Sequence, residues 1–323
     1  MIDTIQIIQP FRTPQEVEDC IQFLKENYSV DKNTRSTSDN SKAPFETHTC
    51  YDNGFKIWIA QNNIYLQGSL TKLYFGNNFL LLNSNQLQEA YSILQSRYYF
   101  IDWSRAIHKR IDIGVSIQLP LPPSSITGKI VGCKRMKKTN FESNGESVVI
   151  GNTSHQIIFY DQTACAKKEM AKNGLENTVP ENLLRIEYKL FNKYQIMKHF
   201  GTKNVTVEFI LDNVNRLPEI WYTMYSDVEK DYTATIGLFR TQREMEMKAI
   251  IECGIDSIRE TLEISYKANL LSKSTKQNIK KYLSTIEKFK SANASSTDSI
   301  KVLDSKIKTF MQNNTFSQSK LVA

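Results

Sequence analysis

The sequence predicts an α+β protein: an antiparallel sheet built from residues up to about 205, then a mainly helical, lysine-rich C-terminal region. Three observations carry this. In "HKRIDIGVSIQLPLPP", Ile111, Ile113, Val115, Ile117 and Leu119 fall on one face, while Asp112, Gly114, Ser116 and Gln118 fall on the other. That is the period of a strand with one face in a core. In "NLLRIEYKL" the same alternation sets Leu184, Ile186, Tyr188 and Leu190 against Arg185, Glu187 and Lys189. Beyond residue 205, "ATIGLFRTQREMEMKAIIEC", "SIRETLEISYKANLLS" and "STKQNIKKYLSTIEKFK" have few β-branched runs and read as helices. The expected division is therefore 1–205 and 206–323, with "SANASSTDS" a linker-like break inside the second part.

The elements follow in chain order. Residues 13–28 predict a helix: Thr13 can cap, Pro14 suits the first turn, and Val17, Ile21 and Leu24 recur at helical spacing. Residues 31–47 are polar and without period, which predicts a loop. "FKIWIA", "NIYLQGSLTKLYFG" and "FLLLN" read as strands, and "SNQLQEAYSILQSRYYF" as a helix capped near Ser84 or Asn85. The strand at 107–119 ends at the prolines from Pro120. "SVVIGN" and "HQIIFY" are the next strands, "QTACAKKEMAKNG" a helix stopped by Gly174, and "NKYQIMKHFG" a helix ending at Gly201.

Composition narrows the function. The five cysteines contain no CxxC pair, and the four histidines no HxH or HExxH, so zinc-finger, redox and histidine-based metalloprotease sites are not expected. There is no GxxxxGK[ST] nucleotide loop. No apolar run approaches the ~18–20 residues of a membrane span, and the opening carries no secretory pattern. The formal charge is +7, and from Thr261 onward eleven lysines face only four carboxylates. Lys280 and Lys281 lie in that region, and Lys129, Lys134, Arg135, Lys137 and Lys138 form a second cluster. Both are candidate contacts to nucleic-acid phosphates, or simply solvated basic surfaces.

Candidate chemistry gathers on the strands. Asp112, Glu187 and Tyr160, which ends "HQIIFY", share one sheet face if their strands are neighbours. Two converging carboxylates suit Mg²⁺ or Mn²⁺, which would neutralise charge on a phosphoryl group. Lys167 and Lys168 follow Tyr160 on the next helix and can supply positive charge. Each residue also has a plain reading: Asp112 as a hydrogen-bonded strand residue, Glu187 as an ion-pair partner of Arg185 or Lys189, and Tyr160 as packing.

The ordered set "RIDIGVSI", "GNTS", "IIFYDQ", "LLRIEYKL" resembles the rolling-circle replication initiators of staphylococcal-type plasmids. It also resembles the gene II type replication proteins of filamentous phages, which "MIDTIQI" and "GSLTKLYFGNN" resemble as well. The resemblance covers 1–200 loosely and 105–190 best. It implies a nickase-like (HUH-related) catalytic domain, here without its HxH pair. Tyr160 would be the DNA-cleaving nucleophile, with Asp112 and Glu187 as ligands of Mg²⁺ or Mn²⁺. Three positions depart from the pattern: Ser116 and Lys189 stand where acids are usual, and Gln162 where a lysine is usual. Gln118, one step along the same face, is the candidate replacement ligand.

The implied activity is nicking and rejoining of one strand of a single-stranded or hairpin origin through a 5′-phosphotyrosine. Host replication helicase and polymerase would be partners, in the cytoplasm of a bacterial host, and a homodimer is left open. Two other readings stand beside it. One is a relaxase or transposase using the same chemistry. The other is a DNA-binding regulator without catalysis, for which the three departures speak. Tyr194, between Lys193 and Lys198, competes with Tyr160 as nucleophile.

Overall fold

In the computed structural model, residues 1–35, 45–134, 136, 138–141, 147–172, 179–230, 250, 254–268, 270–294 and 297–315 are described. Among the described residues ten strands form one sheet in which every neighbouring pair is antiparallel. In chain order they are β1 (Ile2–Pro10), β2 (Asp31–Arg35), β3 (Phe45–Asp52), β4 (Phe55–Ala60), β5 (Asn63–Ser69), β6 (Ile107–Gln118), β8 (Lys138–Phe141), β9 (Ser147–Gly151), β10 (His155–Asp161) and β11 (Leu183–Leu190). Across the sheet they run β2-β3-β4-β5-β1-β6-β11-β10-β9-β8. Two short strands, β7 (Ile130–Cys133) and β12 (Val228–Lys230), pair separately.

One face of the sheet is the core. Ile111, Ile113, Val115, Ile117 and Leu119 are buried there, as their alternation requires, beside Leu184, Ile186, Tyr188 and Leu190. Tyr188 is thereby fixed as a packing residue. Helical side chains close this face: Leu87, Tyr91 and Leu94 from Ser84–Arg97, Ile196 and Phe200 from Lys193–Phe200, and Trp221 from Leu217–Ser226. Ile300, Leu303 and Ile307 of the helix Thr297–Thr315 join the same cluster, so residues on both sides of position 205 share one core. Helices Ile255–Lys267 and Lys273–Ala294 make a smaller cluster through Ile255 and Leu283.

Local signals explain the boundaries. The β3–β4 hairpin turns on Asn53-Gly54, with φ of 46° and 80°, the left-handed pair that a tight hairpin loop needs. The helix Ser84–Arg97 starts with a capping box between Asn83 and Gln86. Three expectations change. Residues 31–35 and 45–47 are strand rather than loop, and Leu70–Phe75 is a helix rather than strand, capped by Ser69. "FLLLN" lies outside the strands, where Phe79 packs on Ala166, Met170, Val179 and Leu183. The helix expected at 234–253 and the stop at Gly174 lie outside the described residues, residue 250 apart.

β6 is pinned at its start by His108, which is 1% exposed. Its Nδ1 meets the Val205 carbonyl at 2.8 Å and its Nε2 the Tyr91 hydroxyl at 2.8 Å. Burial lowers its pKa from 6.5 to about 4, outweighing the carbonyl. The unfolded chain therefore binds the proton first, and the stability held above pH 6.5 is lost as pH falls towards 4. Urea unfolding at pH 7 and near pH 4 is expected to differ by about 3 kcal/mol from this group, and His108→Gln should flatten that difference. An unchanged pH slope in His108→Gln would remove the assignment.

Candidate active site

Strand register brings three separate sequence segments together. β11 lies between β6 and β10. Arg185 stands opposite Ser116 on one side and Tyr160 on the other; Glu187 opposes Gly114, and Lys189 opposes Asp112. These residues occupy the sheet face opposite the core.

The Tyr160 hydroxyl donates to Glu187 Oε1 at 2.7 Å. Arg185 Nε donates to the same oxygen at 3.2 Å, Nη1 to Ser116 Oγ at 3.2 Å, and Nη2 to Asp3 Oδ2 at 3.2 Å. The guanidinium thus crosses β6 to reach β1. Gly114 makes the crossing feasible: a Cβ there would stand 2.8 Å from Arg185 Nε and Nη2. Asp3 reaches this face through a bulge in β1, where Ile2 opposes Ile113 and Ile5 opposes Ile111. The extra residue lets both isoleucines enter the core and Asp3 point away from it. Asp3 also accepts from Ser69 and Thr71, each at 2.6 Å.

Asp112 accepts two hydrogen bonds from Arg110, at 2.8 and 2.6 Å. Lys189 Nζ lies 3.4 Å from Glu187 Oε2 and 4.0 Å from Asp112 Oδ2. Asp3, Asp112 and Glu187, all buried, are thus matched by Arg110, Arg185 and Lys189. Such burial requires pairing, because an isolated charge out of water is costly. Desolvation still raises the pKa of Asp112 against the pull of Arg110. The phenol of Tyr160 is pushed well above the usual tyrosine range, first by burial and then by the charge of Glu187, with Arg185 opposing. Tyr160 is therefore a neutral hydroxyl held on a carboxylate that can take its proton, within the distance general-base transfer needs.

A divalent ion would find part of its donor set here. Asp112 and Glu187 offer the hard oxygen ligands that Mg²⁺ and Mn²⁺ take, and such ions commonly bind one or two carboxylates and fill the remaining positions with water and phosphate. Among the described residues no group of three or more His, Cys, Asp or Glu side chains is arranged to hold a metal. The Lys189 ammonium lies between the two carboxylates, where a shared ion would sit. Its side chain is 22% exposed on a flexible stem, so it can turn out to solvent. Asp112 and Glu187 are the residues that would hold such an ion, and Lys189 would have to be displaced for it.

Tyr160, Asp112 and Glu187 are brought together; other candidates are not. Gln118 donates to the Glu181 carbonyl at the far end of β6. Lys167 pairs with Glu181 at 2.5 Å, and Lys168 is exposed on the same helix, Gln162–Lys172. Lys129, expected on the surface, is 4% exposed. It follows the buried turn Ile126–Thr127, with its N–H on the Ile126 carbonyl, which holds it inside. Lys134 is exposed near Asp227, Lys280 pairs with Glu263, and Lys281 is exposed. Arg135 and Lys137 lie outside the described residues, as does the side chain of Lys138. Tyr194 is 69% exposed, on the helix whose Ile196 and Phe200 pack on the core face. The cations around Tyr160 are instead Arg185 and Lys189, and the third carboxylate is Asp3. The R of the RxE strand signalled Arg185; nothing in "MIDTIQ" singled out Asp3.

Among the described residues no helix is long and apolar enough to cross a membrane. A search of curated proteins finds no match. The family model for the N-terminal part of the phage replication-associated protein of gene II matches residues 1–210, a span that contains every residue of the Tyr160 network. The chain belongs to that family, that of rolling-circle replication initiators of the gene II type.

Proposed function

We propose that the protein starts replication by cutting one strand of a single-stranded or hairpin origin with Tyr160. The observation that carries this is the hydrogen bond from the Tyr160 hydroxyl to Glu187, on a sheet face shared with Asp112, inside the span matched by the family. Glu187 takes the phenolic proton as Tyr160 Oη attacks the scissile phosphorus. An O–P bond forms, the P–O3′ bond breaks, the departing 3′ oxygen takes a proton from water, and the protein is left as a 5′-phosphotyrosine beside a free 3′ hydroxyl. That hydroxyl primes a host polymerase behind a host helicase. The phosphotyrosine conserves the bond energy, so rejoining by the reverse attack needs no nucleotide. Arg185 holds Glu187 in place and offers positive charge beside the reacting oxygens.

The cofactor of this reading is Mg²⁺ or Mn²⁺, held by Asp112 and Glu187; when bound it supplies Lewis-acid stabilisation of the phosphoryl oxygens. The sheet with its tyrosine and acids on one face supports a nickase-like (HUH-related) domain. A relaxase or transposase would share this chemistry, and the replication family favours the initiator. The test is direct. Protein incubated with Mn²⁺ and single-stranded origin DNA is digested, and the nucleotide-bearing peptide is sequenced by mass spectrometry. A modified Tyr160 peptide is expected; modification at Tyr194, or no adduct, would sink the proposal.

Lys189 gives a second prediction. Removing an ammonium that competes for the position between two carboxylates should tighten Mn²⁺ binding. Lys189→Ala is expected to lower the Mn²⁺ dissociation constant about tenfold, read from the free-ion electron paramagnetic resonance signal. Equal affinity in the variant and wild type would place the ion elsewhere.

A further inference from the structure

Far from Tyr160, the same sheet face carries an aromatic and cationic stripe that the cleavage chemistry does not use. On β4, Lys56 and Trp58 alternate with buried Ile57 and Ile59; on β5, Tyr65 and Gln67 alternate with buried Ile64 and Leu66. Trp58 and Tyr65 are directly opposed, and their rings stack with centroids 4.8 Å apart and planes within 3°. Lys56 Nζ sits 5.3 Å from the Trp58 ring and 6.0 Å from that of Tyr51, which is 66% exposed. On the other flank Lys109 Nζ lies 5.1 Å from the Tyr65 ring. Among the described residues neither lysine has a carboxylate partner. Arg110, next to Lys109, holds Asp112, so the stripe runs into the candidate active site without leaving the sheet face.

We propose that this stripe is a stacking track for the single strand that continues from the scissile phosphate. Bases would lie against Tyr51, Trp58 and Tyr65, and phosphates would pass to Lys56 and Lys109. The proposal rests on the reading of Tyr160 as the nucleophile of an origin nickase. Charge and continuity identify the occupant. The stripe is cationic, it carries the exposed Tyr51 ring beside a Trp58–Tyr65 stack whose outer faces are covered by lysines that can swing out to phosphates, and it joins a site where a phosphodiester would be held. Single-stranded DNA offers both charge and unpaired bases, whereas a duplex keeps its bases stacked inside. From β4 to β10 are five strand spacings, about 24 Å, so the bases bound here lie several nucleotides from the cut. Stacking would hold them without demanding a sequence.

The test alters the DNA before it alters the protein. Fluorescence anisotropy of the full chain would compare an intact single-stranded origin oligonucleotide with versions carrying abasic runs, placed several nucleotides to either side of the cleavage position. An abasic run on one side is expected to weaken binding about tenfold, and Trp58→Leu should weaken the intact oligonucleotide similarly and erase the abasic effect. Lys56→Gln with Lys109→Gln should lower the slope of log affinity against log salt by about 1.4. Equal binding of intact and abasic DNA overturns the track, and so does an abasic effect that persists in Trp58→Leu. If Trp58→Leu fails to fold, the abasic scan alone decides. Adduct formation by wild type on a short oligonucleotide confined to the cleavage position is read separately. Its failure beside an intact abasic effect would sink the nickase and leave a single-strand binder.

Discussion

Tyr160→Phe is expected to abolish the covalent protein–DNA adduct while leaving the fold intact. The substitution removes only the hydroxyl. Glu187 loses one hydrogen bond but keeps Arg185 Nε at 3.2 Å and Lys189 Nζ at 3.4 Å, so the stability cost should stay within about 1.5 kcal/mol. The phenyl ring keeps its place, and no oxygen remains to attack phosphorus. Tyr194→Phe should form adduct at the wild-type rate, because that ring lies in solvent on a helix packed against the other side of the sheet. Glu187→Gln separates the base from the nucleophile. An amide of the same shape can still meet the hydroxyl but cannot take its proton, so adduct formation should slow about 10²–10⁴-fold. Its residual rate should climb with pH, since burial holds the phenol neutral and only the rare phenolate then reacts. The readout is a denaturing gel of labelled single-stranded origin DNA over a pH series. Adduct surviving in Tyr160→Phe, or lost only in Tyr194→Phe, would move the nucleophile. A flat, wild-type-like pH profile in Glu187→Gln would take the base role from Glu187.

The parts of this arrangement that were legible in the sequence are those governed by local rules. The alternation in β6 and β11 assigned Ile111 through Leu119 and Leu184 through Leu190 to the core, and thereby set Asp112 and Glu187 on the other face. The ordered segments placed Tyr160 next to them, and the register opposes it to Arg185. What stayed hidden depends on long-range pairing. β1 breaks its alternation at the bulge, so "MIDTIQI" shows no clean strand period, and Asp3 became visible only once β1 lay beside β6. β2 is a polar edge strand with no period at all. The run "LTKLYF" has strand-like composition, yet Ser69 caps Lys72 and shares Asp3 with Thr71, which turns the chain into a helix there. Lys189 and Ser116 read as departures from an acidic pattern. In the folded sheet Lys189 bridges the acids Asp112 and Glu187, and Ser116 accepts from the Arg185 that pairs with Glu187.

The network that aims Tyr160 should also be the most fragile part of the fold. Arg185→Met is expected to lower unfolding free energy by about 3–5 kcal/mol, a large part of the roughly 5–15 kcal/mol that holds a typical domain. Arg185 is fully buried and joins Glu187, Asp3 and Ser116, so methionine fills its volume but leaves two buried carboxylates short of their cation. Arg185→Lys should fall between, because one ammonium cannot span the distance from β11 across β6 to β1 and serve both ends. Gly114→Val should reproduce much of the loss without touching a charge, since a side chain there occupies the path of the guanidinium. Urea unfolding followed by circular dichroism measures all three. If the cost is electrostatic, adding Asp3→Asn to Arg185→Met should recover part of it, whereas a purely steric defect would leave the double variant no better. Arg185→Met with wild-type stability would mean that Asp3 and Glu187 do not depend on the arginine, and would take from Arg185 its role as the support of this network.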